Sequence, residues 1–146
     1  MTGGEPMMDK NTYKVFQYII DNPKDDLHLN VTSNMCPPDK KLKEKYFNMA
    51  QEICMQEKVE HMMQFVSVDA FGKRAEYIRD GLDFNYMMDN VEEFLDRIPV
   101  RNSITFICTY NNLSITSMDK LLQKILELRT KYSKTYQRVW FDVPQS

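Results

Sequence analysis

The sequence predicts an α/β fold: a partial (β/α) barrel of four main parallel strands joined by helical crossovers. Three observations carry this. Short alternating segments and longer helix-periodic segments take turns along the chain, which is the pattern of βαβ units. The 146 residues, 42% hydrophobic and 12% aromatic, suffice for one domain with a single core. Each candidate strand alternates apolar with polar residues, whereas strands buried on both faces read as continuous apolar runs.

Asp9 or Asn11 is placed to cap a first helix that carries Tyr13, Phe16, Ile19 and Ile20 and is stopped by Asn22-Pro23. Leu27 to Thr32 alternates and reads as the first strand. Pro37-Pro38-Asp39 starts a second helix, with Leu42, Tyr46, Phe47, Met49, Ala50 and Ile53 as its apolar positions. Met63 to Asp69 reads as the second strand. Two helical pieces follow, about 73–79 and 84–97, separated by Gly81 and ended by Pro99. Ser103 to Asn111 is the third strand. Ser117 is placed to cap a helix with Leu121, Ile125, Leu128 and Tyr132 on one face, and Val139 to Val143 is the fourth strand. No internal repeat or low-complexity segment occurs.

The alternation separates two faces. Leu27, Leu29 and Val31 alternate with His28, Asn30 and Thr32; Val66 and Val68 with Ser67 and Asp69; Ile104, Phe106 and Cys108 with Thr105 and Thr109; Val139, Phe141 and Val143 with Trp140 and Asp142. The apolar sets suit a helix layer. The polar sets suit either a wet or ligand-filled concavity, since a dry core would leave them unpaired at a cost, or a plain solvent-exposed sheet face. Polar residues gather where the strands end: Thr32-Ser33-Asn34, Ser67 and Asp69, Thr109 and Asn111, and Asp142. Parallel α/β architectures bind ligands at that edge.

Several functions are disfavoured. A net charge of -2 offers no electrostatic case for nucleic acid or an anionic membrane. No apolar run approaches the ~20 residues of a membrane span, and the N-terminus lacks the pattern of a signal peptide, so a cytoplasmic location is expected. Cys36, Cys54 and Cys108 are odd in number and far apart, which argues against a disulfide framework; Cys54 and Cys108 read as small core hydrophobes. His28 and His61 have no carboxylate or Cys at ligand spacing, so no zinc site is indicated. Neither a Gly-x-Gly-x-x-Gly loop, a Walker loop nor a nucleophile elbow occurs. Lys120, Lys124, Arg129, Lys131 and Lys134 read as a solvated helix face.

The chain opens Met1-Thr2-Gly3-Gly4-Glu5-Pro6. Glycines permit close approach of a ligand to the backbone, and the proline stiffens the turn; a flexible Gly/Pro tail is the alternative. Gly-Gly-Glu-Pro, then a strand ending Thr-Ser-Asn, then Val-Ser-Val-Asp with a downstream Tyr-Ile-Arg, then a strand ending Thr-Tyr-Asn-Asn, resembles the middle of the radical S-adenosylmethionine (radical SAM) enzymes. The likeness runs from Gly3 to about Asp142, and the stretch Asp69–Asn90 resembles members whose core is followed by a truncated auxiliary-cluster ("twitch") domain. The resemblance implies that 1–146 is the central part of a radical SAM core domain, with a small-molecule cofactor as its partner. Gly3, Gly4, Glu5 and Pro6 would contact the methionine moiety of S-adenosylmethionine. Asn34 would lie near that cofactor, Ser67 and Asp69 near its ribose or carboxylate, and Arg79 would pair with the carboxylate, unless it is a surface arginine beside Asp80.

One departure qualifies the resemblance. The family's 5′-deoxyadenosyl radical arises when a [4Fe–4S] cluster, held by C-x3-C-x2-C, reduces the sulfonium, and that spacing does not occur here. The cluster-bearing strand and loop would precede Met1, so the expectation is a fragment of a longer enzyme, inactive alone. A flavodoxin-like α/β module, non-catalytic and holding a small ligand at its strand C-termini, is the alternative from another class.

Overall fold

The computed structural model describes residues 5–68, 84–99, 101–108, 118–134 and 136–142. Glu5 leads into a 3₁₀ turn, Pro6–Met8, followed by α1 (Lys10–Asp21), β1 (Lys24–Ser33), α2 (Lys40–Met55) and β2 (Val59–Ser67). Then come α3 (Phe84–Arg97), β3 (Ser103–Ile107), α4 (Met118–Tyr132) and β4 (Val139–Asp142). The expected helix piece near 73–79 lies outside the described residues.

Local chemistry sets the helix ends. Asp9 caps α1 by accepting the Asn11 N–H, and Asp39 caps α2 by accepting those of Lys41 and Leu42. The C-terminus of α2 closes with Lys58 N–H donating to Ile53 and Glu57 N–H to Cys54, a Schellman arrangement that places Glu57 at φ 54°.

The four strands form one sheet in the order β1-β2-β3-β4, every neighbouring pair parallel. Right-handed crossovers applied to a sequential parallel order lay all connecting helices on one face of the sheet. Burial agrees with that. Leu29, Val31, Met62, Val66, Ile104, Phe106 and Val139 join Tyr46, Phe47, Ile53, Phe94, Leu121 and Ile125 in one core. The opposite face carries His28, Asn30 and Thr32 on β1; His61, Met63, Phe65 and Ser67 on β2; Ser103, Thr105 and Ile107 on β3; and Trp140 and Asp142 on β4, by register and alternation. His28, Asn30, Trp140 and Asp142 are exposed there.

β2 starts at Val59, four residues before the expected Met63, and β1 starts at Lys24 rather than Leu27. The longer β2 adds His61 to the open face. Inside the expected span Gln64 departs from the alternation: it is polar yet fully buried on the helix face. Its carbonyl accepts the Tyr46 hydroxyl, and its amide donates to Val31 O at 3.1 Å and Phe65 O at 3.2 Å. A buried amide so satisfied costs little, whereas an unpaired one would not be tolerated.

A second polar group holds the opposite end of the sheet. Arg138, just before β4, is 3% exposed. Its guanidinium donates to Asn102 O (3.0 Å), Leu95 O (3.0 Å), Ile98 O (2.9 Å) and Pro99 O (3.4 Å). It thereby caps the carbonyls at the end of α3, which have no intrahelical donors, and ties them to the start of β3. Asn102 continues the lock by accepting the Met62 N–H at 2.8 Å.

Candidate functional site

The 3₁₀ turn places Glu5 at the C-terminal end of β1. Its Oε1 accepts the Ser33 hydroxyl at 2.6 Å and the Met7 N–H at 3.2 Å, while Oε2 accepts the Asn34 N–H at 3.1 Å. Ser33 passes the chain on, its Oγ accepting the Met35 N–H at 2.9 Å; Asn34 Oδ1 accepts the Cys36 N–H at 2.9 Å. Each bond is of the kind that Ser and Asn side chains offer to turns. Together they hold the segment before α1 against the loop between β1 and α2, where a βα loop of the sheet would stand.

Met35 sits inside this loop at φ 55° and is fully buried. A left-handed conformation in a residue bearing a Cβ costs about 1–2 kcal/mol and persists only where the surroundings over-determine it. Ser33 holds its N–H, and Asn90 on α3 donates to its carbonyl at 2.8 Å. Tyr13 completes the packing, its hydroxyl donating to Met7 O and standing 3.0 Å from Leu42 O. Burial, with the nearby Glu5 and Asp39 carboxylates, pushes the Tyr13 phenol up to about 12.

Of the expected site residues, Glu5, Pro6, Asn34 and Ser67 are described; Gly3, Gly4, Asp69 and Arg79 lie outside the described residues. Glu5 and Asn34 meet directly. Pro6 is buried in the 3₁₀ turn. Ser67 ends β2 at the same edge, but register puts it on the open face, whereas Ser33 and its bond to Glu5 belong to the helix side (Ser33 pairs with Val66). Among the described residues Ser67 Oγ and Asn34 Nδ2 make no hydrogen bond. The residues that build the loop, Ser33, Met35, Tyr13 and Asn90, were not singled out as site residues from sequence. Ser33 was the one with a signal, named with Thr32 and Asn34 among the polar residues at the strand ends, though not among the cofactor-binding residues.

The donors for a [4Fe–4S] cluster do not fit. Cys36 lies in the loop after β1, Cys54 is buried on α2 and Cys108 is buried just beyond β3. Burial raises the Cys54 thiol to about 12, away from the thiolate that ligation needs. The polar edge is better matched to a small polar molecule. The Glu5 carboxylate keeps acceptor capacity beyond its bonds to Ser33, Met7 and Asn34, and Asn34 Nδ2 and Ser67 Oγ can donate. A groove of about 1110 Å³ between α1 and α2, lined by Tyr13, Leu42 and Met49 with Lys10, Lys14 and Lys45, belongs to the helix layer and not to this edge.

Comparison with protein-family models, with curated proteins and with solved structures finds no match. No described helix is long and apolar enough to cross a membrane.

Proposed function

We propose that this chain is the central part of a radical SAM core, a partial barrel that holds S-adenosylmethionine at the C-terminal edge of its strands. The observation that carries the reading is the anchoring of Glu5, from the Gly-Gly-Glu-Pro motif, to Ser33 and Asn34 at the end of β1. A Gly/Pro tail without a role would have no reason to be stitched to the edge where parallel sheets bind ligands. Sequential strand order supports the barrel, because a doubly wound flavodoxin-like sheet reverses its order at a switch point, and the described sheet runs β1-β2-β3-β4.

In this reading Glu5 accepts from the ammonium of the bound cofactor, Asn34 and Ser67 donate to its polar groups, and the buried Met35 turn fixes the backbone they stand on. When bound, the cofactor would supply an activated sulfonium. The dispersed cysteines do not fit a cluster, so the role proposed for these residues is binding and orientation. The dispersed cysteines favour one second reading: a non-catalytic module that takes a small polar ligand at the same edge.

Backbone amide NMR during titration with S-adenosylmethionine, and with S-adenosylhomocysteine as a stable analogue, tests the reading. Saturable shifts centred on Glu5, Asn34 and Ser67 are expected. Shifts confined to the groove between α1 and α2, or none at millimolar ligand, would reject it.

A further inference from the structure

The open face of the sheet carries a second polar group that the cofactor reading does not use. His28 on β1 and His61 on β2 are direct partners in the parallel register, so both imidazoles rise from the same face, their ring centres 6.0 Å apart. Their separation in sequence hid this, because ligand spacing along one element cannot reveal a pair that meets across two strands.

The hydrogen bonds fix which ring nitrogen of each histidine is engaged. His28 Nε2 is 3.0 Å from Glu60 Oε2. A carboxylate only accepts, so Nε2 carries the proton of the neutral ring and the lone pair is left on Nδ1. His61 Nε2 is 3.0 Å from Ser103 Oγ, whose own proton is directed toward Met63 Sδ at 3.5 Å. The serine then accepts from His61 Nε2–H, and again Nδ1 keeps the lone pair. Neither Nδ1 has a partner among the described residues. An imidazole whose far N–H is held by a carboxylate or hydroxyl is the arrangement that orients metal-ligating histidines and raises their basicity.

The spacing suits a shared ion. Two imidazoles on one cation at metal–nitrogen distances of about 2.0–2.1 Å stand with ring centres roughly 5–6.5 Å apart, depending on the angle at the ion.

We propose that His28 and His61 form a two-imidazole site for a borderline first-row divalent cation, Zn²⁺ or Cu²⁺, on the open face of the sheet. Glu60 orients His28, and water completes the coordination. Among the described residues no group of three or more His, Cys, Asp or Glu side chains could hold an ion, so the site is exchangeable and weaker than a closed structural zinc centre. Nitrogen donors select Zn²⁺, Cu²⁺ and Ni²⁺ over the oxygen-seeking Mg²⁺ and Ca²⁺. The proposal does not rest on the cofactor reading.

Calorimetric titration of the chain with ZnCl₂ in a non-chelating buffer, with MgCl₂ as control, tests it. One equivalent of Zn²⁺ should bind and Mg²⁺ should give no heat. The His28 side chain is 60% exposed, so His28→Asn should keep the fold, checked by circular dichroism, while weakening Zn²⁺ at least tenfold; His61→Asn should do the same. Glu60→Gln should weaken it by a smaller factor. Unchanged affinity in His28→Asn, no zinc heat from the unaltered chain, or loss of binding in Cys36→Ser with both histidines intact would each overturn the assignment.

Discussion

Glu5 and Arg138 are both charged, both drawn in from bulk water, and both hydrogen-bonded largely to main chain, yet they sit at opposite ends of the sheet. Arg138 directs its guanidinium at four backbone carbonyls around the end of α3 and the start of β3. Among the described residues no acidic side chain bonds it directly. Glu5 does the converse with a carboxylate, accepting two N–H groups and one hydroxyl around the end of β1. The difference lies in what is left over. The guanidinium is wholly enclosed, so its work is structural. The carboxylate is half-buried and retains acceptor capacity, so it stitches and, in the proposed reading, also recognises the cofactor.

The contrast predicts unequal costs. Arg138→Met should give the largest loss, about 3–4 kcal/mol in urea unfolding, because it leaves several buried carbonyls without a donor. Arg138→Lys, which can reach one carbonyl but not the fork of them, should recover a minor part. A loss under about 1 kcal/mol in Arg138→Met would break the comparison, since water would then be satisfying the same carbonyls.

Tyr46→Phe comes next. It removes the donor from Gln64 Oε1 in the middle of the helix face and should cost about 1–3 kcal/mol. Gln64→Leu in the same background should return part of that loss, because an apolar pair of similar shape leaves nothing unsatisfied.

A smaller effect marks the Glu5 end. Tyr13 has its pKa raised to about 12, so the folded chain keeps a proton that the unfolded chain loses near 10. Its contribution to stability is present below about pH 10 and is lost as pH rises from there toward 12. Comparing alkaline unfolding midpoints of the unaltered chain and Tyr13→Phe isolates the effect from other titrating groups; equal slopes for the two would show that the phenol is not held neutral by Glu5 and its burial.

The two ends were not equally legible in the sequence. Periodicity and start signals were enough for the helices: Phe84–Arg97 matches its expected span, Asp9 is the one of the two candidates, Asp9 or Asn11, that caps α1, and α2 starts just after Pro37-Pro38-Asp39 as expected. The two faces of the sheet followed from alternation, because side-chain direction in a strand has a period of two residues. Glu5 was visible through its motif. Arg138 carried no signal, because its partners are backbone carbonyls from a different stretch of chain, and no residue pattern announces a carbonyl's need for a donor. Gln64 was hidden for a related reason: it is a polar residue at an apolar-face position, made tolerable by Tyr46. The His28–His61 pair was hidden by register, which depends on the strand partner and not on the neighbours in sequence.

The most direct test of the account is to measure Glu5→Gln twice, once for stability and once for affinity toward S-adenosylhomocysteine by calorimetry. Glutamine preserves shape but removes the charge and presents a donor where Asn34 N–H needs an acceptor, so stability should fall by about 1–2 kcal/mol. Affinity should fall at least tenfold, the equivalent of 1.4 kcal/mol, when compared under conditions where both proteins are fully folded. Unchanged affinity alongside the loss of stability would contradict the account, and would leave Glu5 as structural as Arg138.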